Sequence, residues 1–182
     1  MSTVRDHLIG LLALIVAGVG AATPAAAQAS ASRLTYSFHV GSAHPLGTMD
    51  SLNDANIHAD VDVGYRLNFL PTKGYFNLKL YVGLNQFTAE PFVLTAHPRW
   101  VNLSANVQWV FPPTPSGLRP YLQAGPGRYW PKSGPSQNGF NVGLGAQGPI
   151  APFSLEFGID IHQIQTKPVT RFATVQLGVL FH

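Results

Sequence analysis

From Ile57 to Phe69 every odd position is apolar, and every even position is polar, charged or glycine. A β-strand sends successive side chains to opposite faces, so this stretch separates a greasy face from a polar one. A helix of the same composition would scatter both classes around its circumference. The alternation recurs along the chain after residue 32 and is bounded each time by turn residues. It predicts strands over Arg33–Gly41, Ile57–Phe69, Tyr75–Phe87, Trp100–Phe111, Leu118–Trp130, Gly139–Gln147, Phe153–Gln163 and Arg171–Phe181. Most suit a tilted strand crossing a bilayer, which needs about 9–11 residues, better than the usual soluble strand of about 5–6.

The connections alternate in length. Ser42–Asn56, Thr88–Arg99, Pro131–Asn138 and Ile164–Thr170 form one set, and the shorter Leu70–Gly74, Pro112–Gly117 and Gly148–Pro152 the other. A transmembrane barrel has short inner turns and longer outer loops, so the first set is assigned outward. A soluble lipocalin-like barrel would turn its apolar face inward instead. Three features favour lipid. The apolar face is almost free of charge. Aromatic residues gather at strand ends, with Phe69, Phe76, Phe111, Phe153 and Phe181 at one rim and Trp100, Trp130, Phe140 and Phe172 at the other. Glycines 41, 64, 83, 125, 143, 145, 158 and 178 share the polar face, where a narrow barrel needs small residues. Pro120 and Pro126 remove two ladder donors from the fifth strand, so a bulge or a shorter strand is expected there.

Composition sharpens this picture. Charged residues make up 10% of the 182-residue chain, against roughly 25% in soluble domains. Residues 1–27 read as a cleaved secretory signal peptide: Arg5, the apolar run Leu8–Val19, then Ala25-Ala26-Ala27 before Gln28. Residues 28–182 are then one domain with no later apolar run long enough for a helical span. In lipid only helices and closed barrels satisfy every backbone hydrogen bond. The net charge of +3 comes from scattered basic residues, which argues against nucleic-acid binding. There is no cysteine, which excludes thiolate metal sites.

The segments Val63-Gly64-Tyr65-Arg66-Leu67, Arg119-Pro120-Tyr121-Leu122-Gln123-Ala124-Gly125, Phe140-Asn141-Val142-Gly143-Leu144-Gly145-Ala146 and Val175-Gln176-Leu177-Gly178-Val179-Leu180-Phe181 carry a resemblance. The chain resembles the small outer-membrane β-barrels of the OmpA-like, OmpX-like and opacity-protein type, over essentially the whole of residues 28–182. The resemblance implies an all-β, eight-stranded antiparallel up-and-down transmembrane β-barrel in a Gram-negative-type outer membrane. It also implies that the last strand is the signal read by the barrel-assembly machinery, although here His182 follows the aromatic Phe181.

The polar face holds His39, His58, Asp60, Asp62, Arg66, Lys79, Arg119, Glu156, Asp160 and His162. Buried charges must pair, so a lumenal network is expected in which Arg66 and Lys79 neutralise Asp60, Asp62, Glu156 or Asp160. His58, Asp60 and Asp62 are also metal-ligand types, but ligands along one strand are about 6–7 Å apart and need His39 or His162 to converge. No metal or cofactor is assigned. Arg99, Lys132, Lys167 and Arg171 lie in or beside outward loops and are candidate contacts for lipopolysaccharide phosphates. No serine stands two residues after His162, His39 and Ser42 lie three apart, and His44 and Asp50 share the first loop, so no specific catalytic constellation emerges. The reading is a non-enzymatic barrel with a structural or surface-interaction role, displaying four outward loops. The alternatives are a narrow channel for small or hydrophobic solutes and, third, a lipid-modifying enzyme.

Overall fold

The computed structural model of the chain describes residues 33–47, 53–67, 74–89 and 99–182. The expected signal peptide, Phe69, most of the first inner turn and parts of the first two outward loops lie outside the described residues.

Eight long strands close into one barrel: β1 (Leu34–Leu46), β3 (Asn56–Leu67), β4 (Tyr75–Gln86), β6 (Arg99–Val110), β7 (Arg119–Pro131), β8 (Gln137–Ile150), β9 (Phe153–Ile164) and β10 (Thr170–Phe181). Each pairs antiparallel with its neighbours in the chain, and β1 closes the barrel on β10. Two short strands, β2 (Asn53–Asp54) and β5 (Thr88–Ala89), pair with each other beyond the outward ends of β3 and β4. The long strands are 12 to 14 residues each, enough to cross a bilayer at a tilt.

The alternation read from the sequence is realised in space. Leu80, Val107, Leu122, Leu144, Phe157 and Leu177 stand exposed on the outer wall, while His58, Asp60, Asn102, Gln108, Glu156 and Gln176 are buried inside. An apolar wall of this extent is a liability in water and a requirement in lipid. The polar-face glycines fall in the inward register. Close approach requires glycine at several of them: a Cβ on Gly143 would collide with the Asp160 carboxylate, and one on Gly178 with the His39 ring.

Three expectations change. β1 runs five residues past Gly41, because Ser42–Leu46 pairs with β10 from Val175 to Arg171. Glycine, serine and proline there look like turn signals but continue the ladder. β7 contains both Pro120 and Pro126 with no register slip on either side. The disturbance is local: Cα pairing with β6 is interrupted only between Ser104–Gly127 and Val107–Ala124. Finally, Trp100 and Phe172 belong to no girdle. Both are buried inside the barrel, in the inward register of β6 and β10. The inner rim does carry aromatic contacts, with Trp109 between Phe76 (5.8 Å) and Phe111 (4.4 Å).

Candidate functional site: the lumen

The inward positions build a polar middle tier. Lys79 from β4 reaches Asp62 from β3 at 2.8 Å and Glu156 from β9 at 3.4 Å. Glu156 also accepts hydrogen bonds from Gln108 and Gln147, both at 3.3 Å. Asp60 accepts from two imidazoles, His39 Nδ1 on one oxygen and His58 Nε2 on the other, each at 2.7 Å. His58 Nε2 also meets Gln176 Oε1 at 2.7 Å, and its Nδ1 meets Asn85 Oδ1 at 2.8 Å. Asn85 turns its amide nitrogen to Asn102 (3.0 Å) and Gln176 turns its own to Asp160 (3.1 Å), so both present oxygen to the ring. His58 therefore faces acceptors at both nitrogens, the pattern an imidazolium satisfies. Asp160 is held by amides, Gln123 at 2.6 Å and Gln176.

Of the expected network, His58 contacts Asp60 and Lys79 contacts Asp62 and Glu156, His39 stands 3.9 Å from both Asp62 and Glu156 between the two groups, and Asp160 joins through Gln176. Arg66 is not part of it. It sits at the inner mouth, its guanidinium 4.3 Å over the Tyr75 ring and 3.2 Å from His182 Nδ1. Asp60 is flanked by the imidazoles of His39 and His58, with neither Arg66 nor Lys79 in direct contact. His39 stands directly opposite Asp60 in the β1–β3 ladder, and chain closure adds Gln176 of β10 to the same group.

His39, Asp60 and Asp62 place ligand-type atoms within 4.8 Å of one another. The Lys79 ammonium already occupies one Asp62 oxygen, and His39 Nδ1 is engaged by Asp60. A cation would have to displace both contacts. His162 lies apart, bonded to Tyr129 at 3.0 Å.

Above the polar tier is an apolar one. Ala43, Phe87, Trp100, Tyr129, Ile164 and Phe172 form a buried cluster at the outward end of the lumen. Phe87 packs edge-on against Phe172 at 5.3 Å, and His162 stacks on Phe172 at 4.5 Å, joining the two tiers. The signal for this tier was in the sequence: Trp100 and Phe172 share parity with the polar positions of their own strands.

On the outer wall, Lys132 N bonds to the Arg99 carbonyl at 2.9 Å, which sets these two residues side by side. Arg171 bonds to Gln163 at 2.8 Å, and Lys167 is exposed in the last outward loop. Arg128, exposed on the same wall and bonded to Ser136 and Asn138, was missed because it occupies an apolar-face position. Ser42 Oγ and His44 Nε2 lie 2.7 Å apart, both pointing outward from β1. Among the described residues no carboxylate contacts His44, and Asp50 of the same loop lies outside them.

A closed eight-stranded barrel with an apolar outer wall and a polar lumen is a transmembrane barrel of the outer membrane. The chain belongs to the outer membrane protein beta-barrel domain family, which matches residues 11–182. Among solved structures it is similar to neisserial surface protein A (NspA), at 16% identity over 82% of this chain and 97% of that one, with a TM-score of 0.62. It is also similar to the outer membrane enzyme PagL, at 12% identity over 81% of this chain and 99% of that one, with a TM-score of 0.51. Both likenesses are of fold. A search of curated protein sequences finds no match.

Proposed function

We propose that this outer-membrane barrel is a non-conducting scaffold whose role is structural or surface-interactive, exerted through its outward connections. The observation that carries the reading is the doubly filled lumen. The ion network of Lys79, Asp62 and Glu156 lies below the apolar tier of Phe87, Trp100 and Phe172. Ions crossing it would have to break buried charge pairs and then enter a dry aromatic layer, and each step is costly. The pairing of β2 with β5, with Asn56 Nδ2 donating to Thr88 Oγ1 at 2.6 Å, ties the first two outward connections together. Tied loops on a rigid scaffold suit recognition.

The same reading assigns residues 1–27 to a cleaved signal peptide and β10 to recognition by the assembly machinery. It assigns Arg99, Lys132, Lys167 and Arg171 to the phosphates of lipopolysaccharide. The test of the scaffold role is electrical. Purified barrel reconstituted in planar bilayers is expected to leave the membrane silent under applied voltage. Reproducible single-channel steps from the wild-type chain would overturn the reading in favour of a narrow channel.

A further inference from the structure

The inner end of the barrel, where β3, β7 and β10 meet the inner turns, holds an open-mouthed cavity of about 620 Å³. Its walls include Arg66, Tyr75, Arg119, Gln147, Phe153 and His182. Two guanidiniums thus share one cavity. Arg119 has no hydrogen-bond or ion-pair partner among the described residues, and Arg66 Nε is buried without one. Among the described residues the acidic side chains lie outside this cavity, with Asp60, Asp62, Glu156 and Asp160 in the polar tier and Asp54 in the first outward connection.

Like charges that line one cavity repel, and an anion seated between them relieves that repulsion. His182 completes the cradle. Arg66 donates to its Nδ1 at 3.2 Å, so Nε2 carries the proton towards Ser154 Oγ, also at 3.2 Å. Burial, then the nearby Arg66 and Arg119, hold its basicity below that of a free imidazole. Tyr75 donates to Gln147 Oε1 at 3.1 Å, and the Gln147 amide donates to Glu156, which ties the cavity floor to the polar tier. The volume lies in the range of small-molecule sites, about 300–1,000 Å³.

We propose that the inner mouth is a binding site for a phosphate oxyanion, held by Arg66 and Arg119. Guanidiniums match phosphate oxygens with two parallel donors each. The phosphate could belong to a soluble phosphorylated solute or to a phospholipid headgroup, and this site stands independently of whether the lumen conducts.

The test uses the full folded chain in dodecyl maltoside, titrated calorimetrically with pyrophosphate at low ionic strength. The wild type is expected to bind at least tenfold more tightly than R66Q/R119Q, with folding of each protein confirmed by its unheated gel mobility. Equal binding by wild type and variant, or no binding by the wild type, overturns the proposal. If the double variant does not fold, R119Q serves alone. Its side chain has no partner to lose among the described residues, and a several-fold weakening is expected against unchanged affinity as the overturning result. Dihexanoyl phosphatidic acid, added below its micelle concentration, separates the sources. Displacement of pyrophosphate supports the site and assigns it lipid phosphate; undisturbed binding supports the site and assigns it soluble phosphate.

Discussion

Lys79 is the ammonium that two buried carboxylates share in the polar tier. Its removal would leave Asp62 and Glu156 without that cation in a buried tier. K79M is expected to cost about 3–5 kcal/mol of stability, the range for breaking one side of a buried pair. The check is urea unfolding in lipid vesicles followed by the heat-dependent gel shift. K79M/D62N should recover part of that loss, because one of the stranded charges is gone. The inward position of these residues was legible from parity alone. Their pairing was not. In the ladder Asp62 stands opposite Tyr81 and Lys79 opposite Gly64, so the ion pair runs diagonally and its other arm crosses the barrel to β9. Arg66 shows the same limit from the other side. It shares the parity of Asp60 and Asp62 but lies far enough towards the inner end to meet Tyr75 and His182 instead.

At the scale of the element, β7 departs most from its local signals. Phe111 N bonds to Pro120 O at 2.8 Å, so even positions of β7 turn their backbone groups towards β6. Pro126 therefore withholds a donor from Ala105, and this is where Cα pairing with β6 is interrupted. Continuous pairing with β8 across Pro120–Ala146 and Pro126–Phe140 holds the strand in register despite the gap. P126A restores the missing N–H and is expected to stabilise the barrel by about 1 kcal/mol, the net value of one hydrogen bond. The same urea titration reads it, and a loss of stability would show that the proline's fixed backbone angle matters more than the donor. β1 outruns its local signals for a related reason. Proline and glycine are punctuation in an isolated segment, but two partner strands, β3 and β10, dictate the path of Ser42–Leu46.

At the scale of the molecule, the outward end carries basic residues in two groups, Arg99 with Lys132 and Arg171 with Lys167. If they meet lipopolysaccharide phosphates, adding lipopolysaccharide to the vesicles should raise the unfolding midpoint of the wild type. R99S/K132S/K167S/R171S should lose most of that increase. Each exposed contact contributes only about 0–1 kcal/mol, so the four must be tested together. An equal increase in the variant would remove the assignment. The sequence by itself determined that the chain forms eight antiparallel strands, which face of each meets lipid, and which residues can enter the lumen. Those properties follow from the two-residue period of a strand and from the need to satisfy every backbone group in a membrane. The tertiary structure alone decided that Lys79 spans two carboxylates, that Gln176 joins His58 to Asp160, that Trp100 and Phe172 close the outward end, and that Arg66 and Arg119 share the inner mouth. Each of these is set by strand stagger and by the closure of β1 on β10, which bring together residues far apart in the chain.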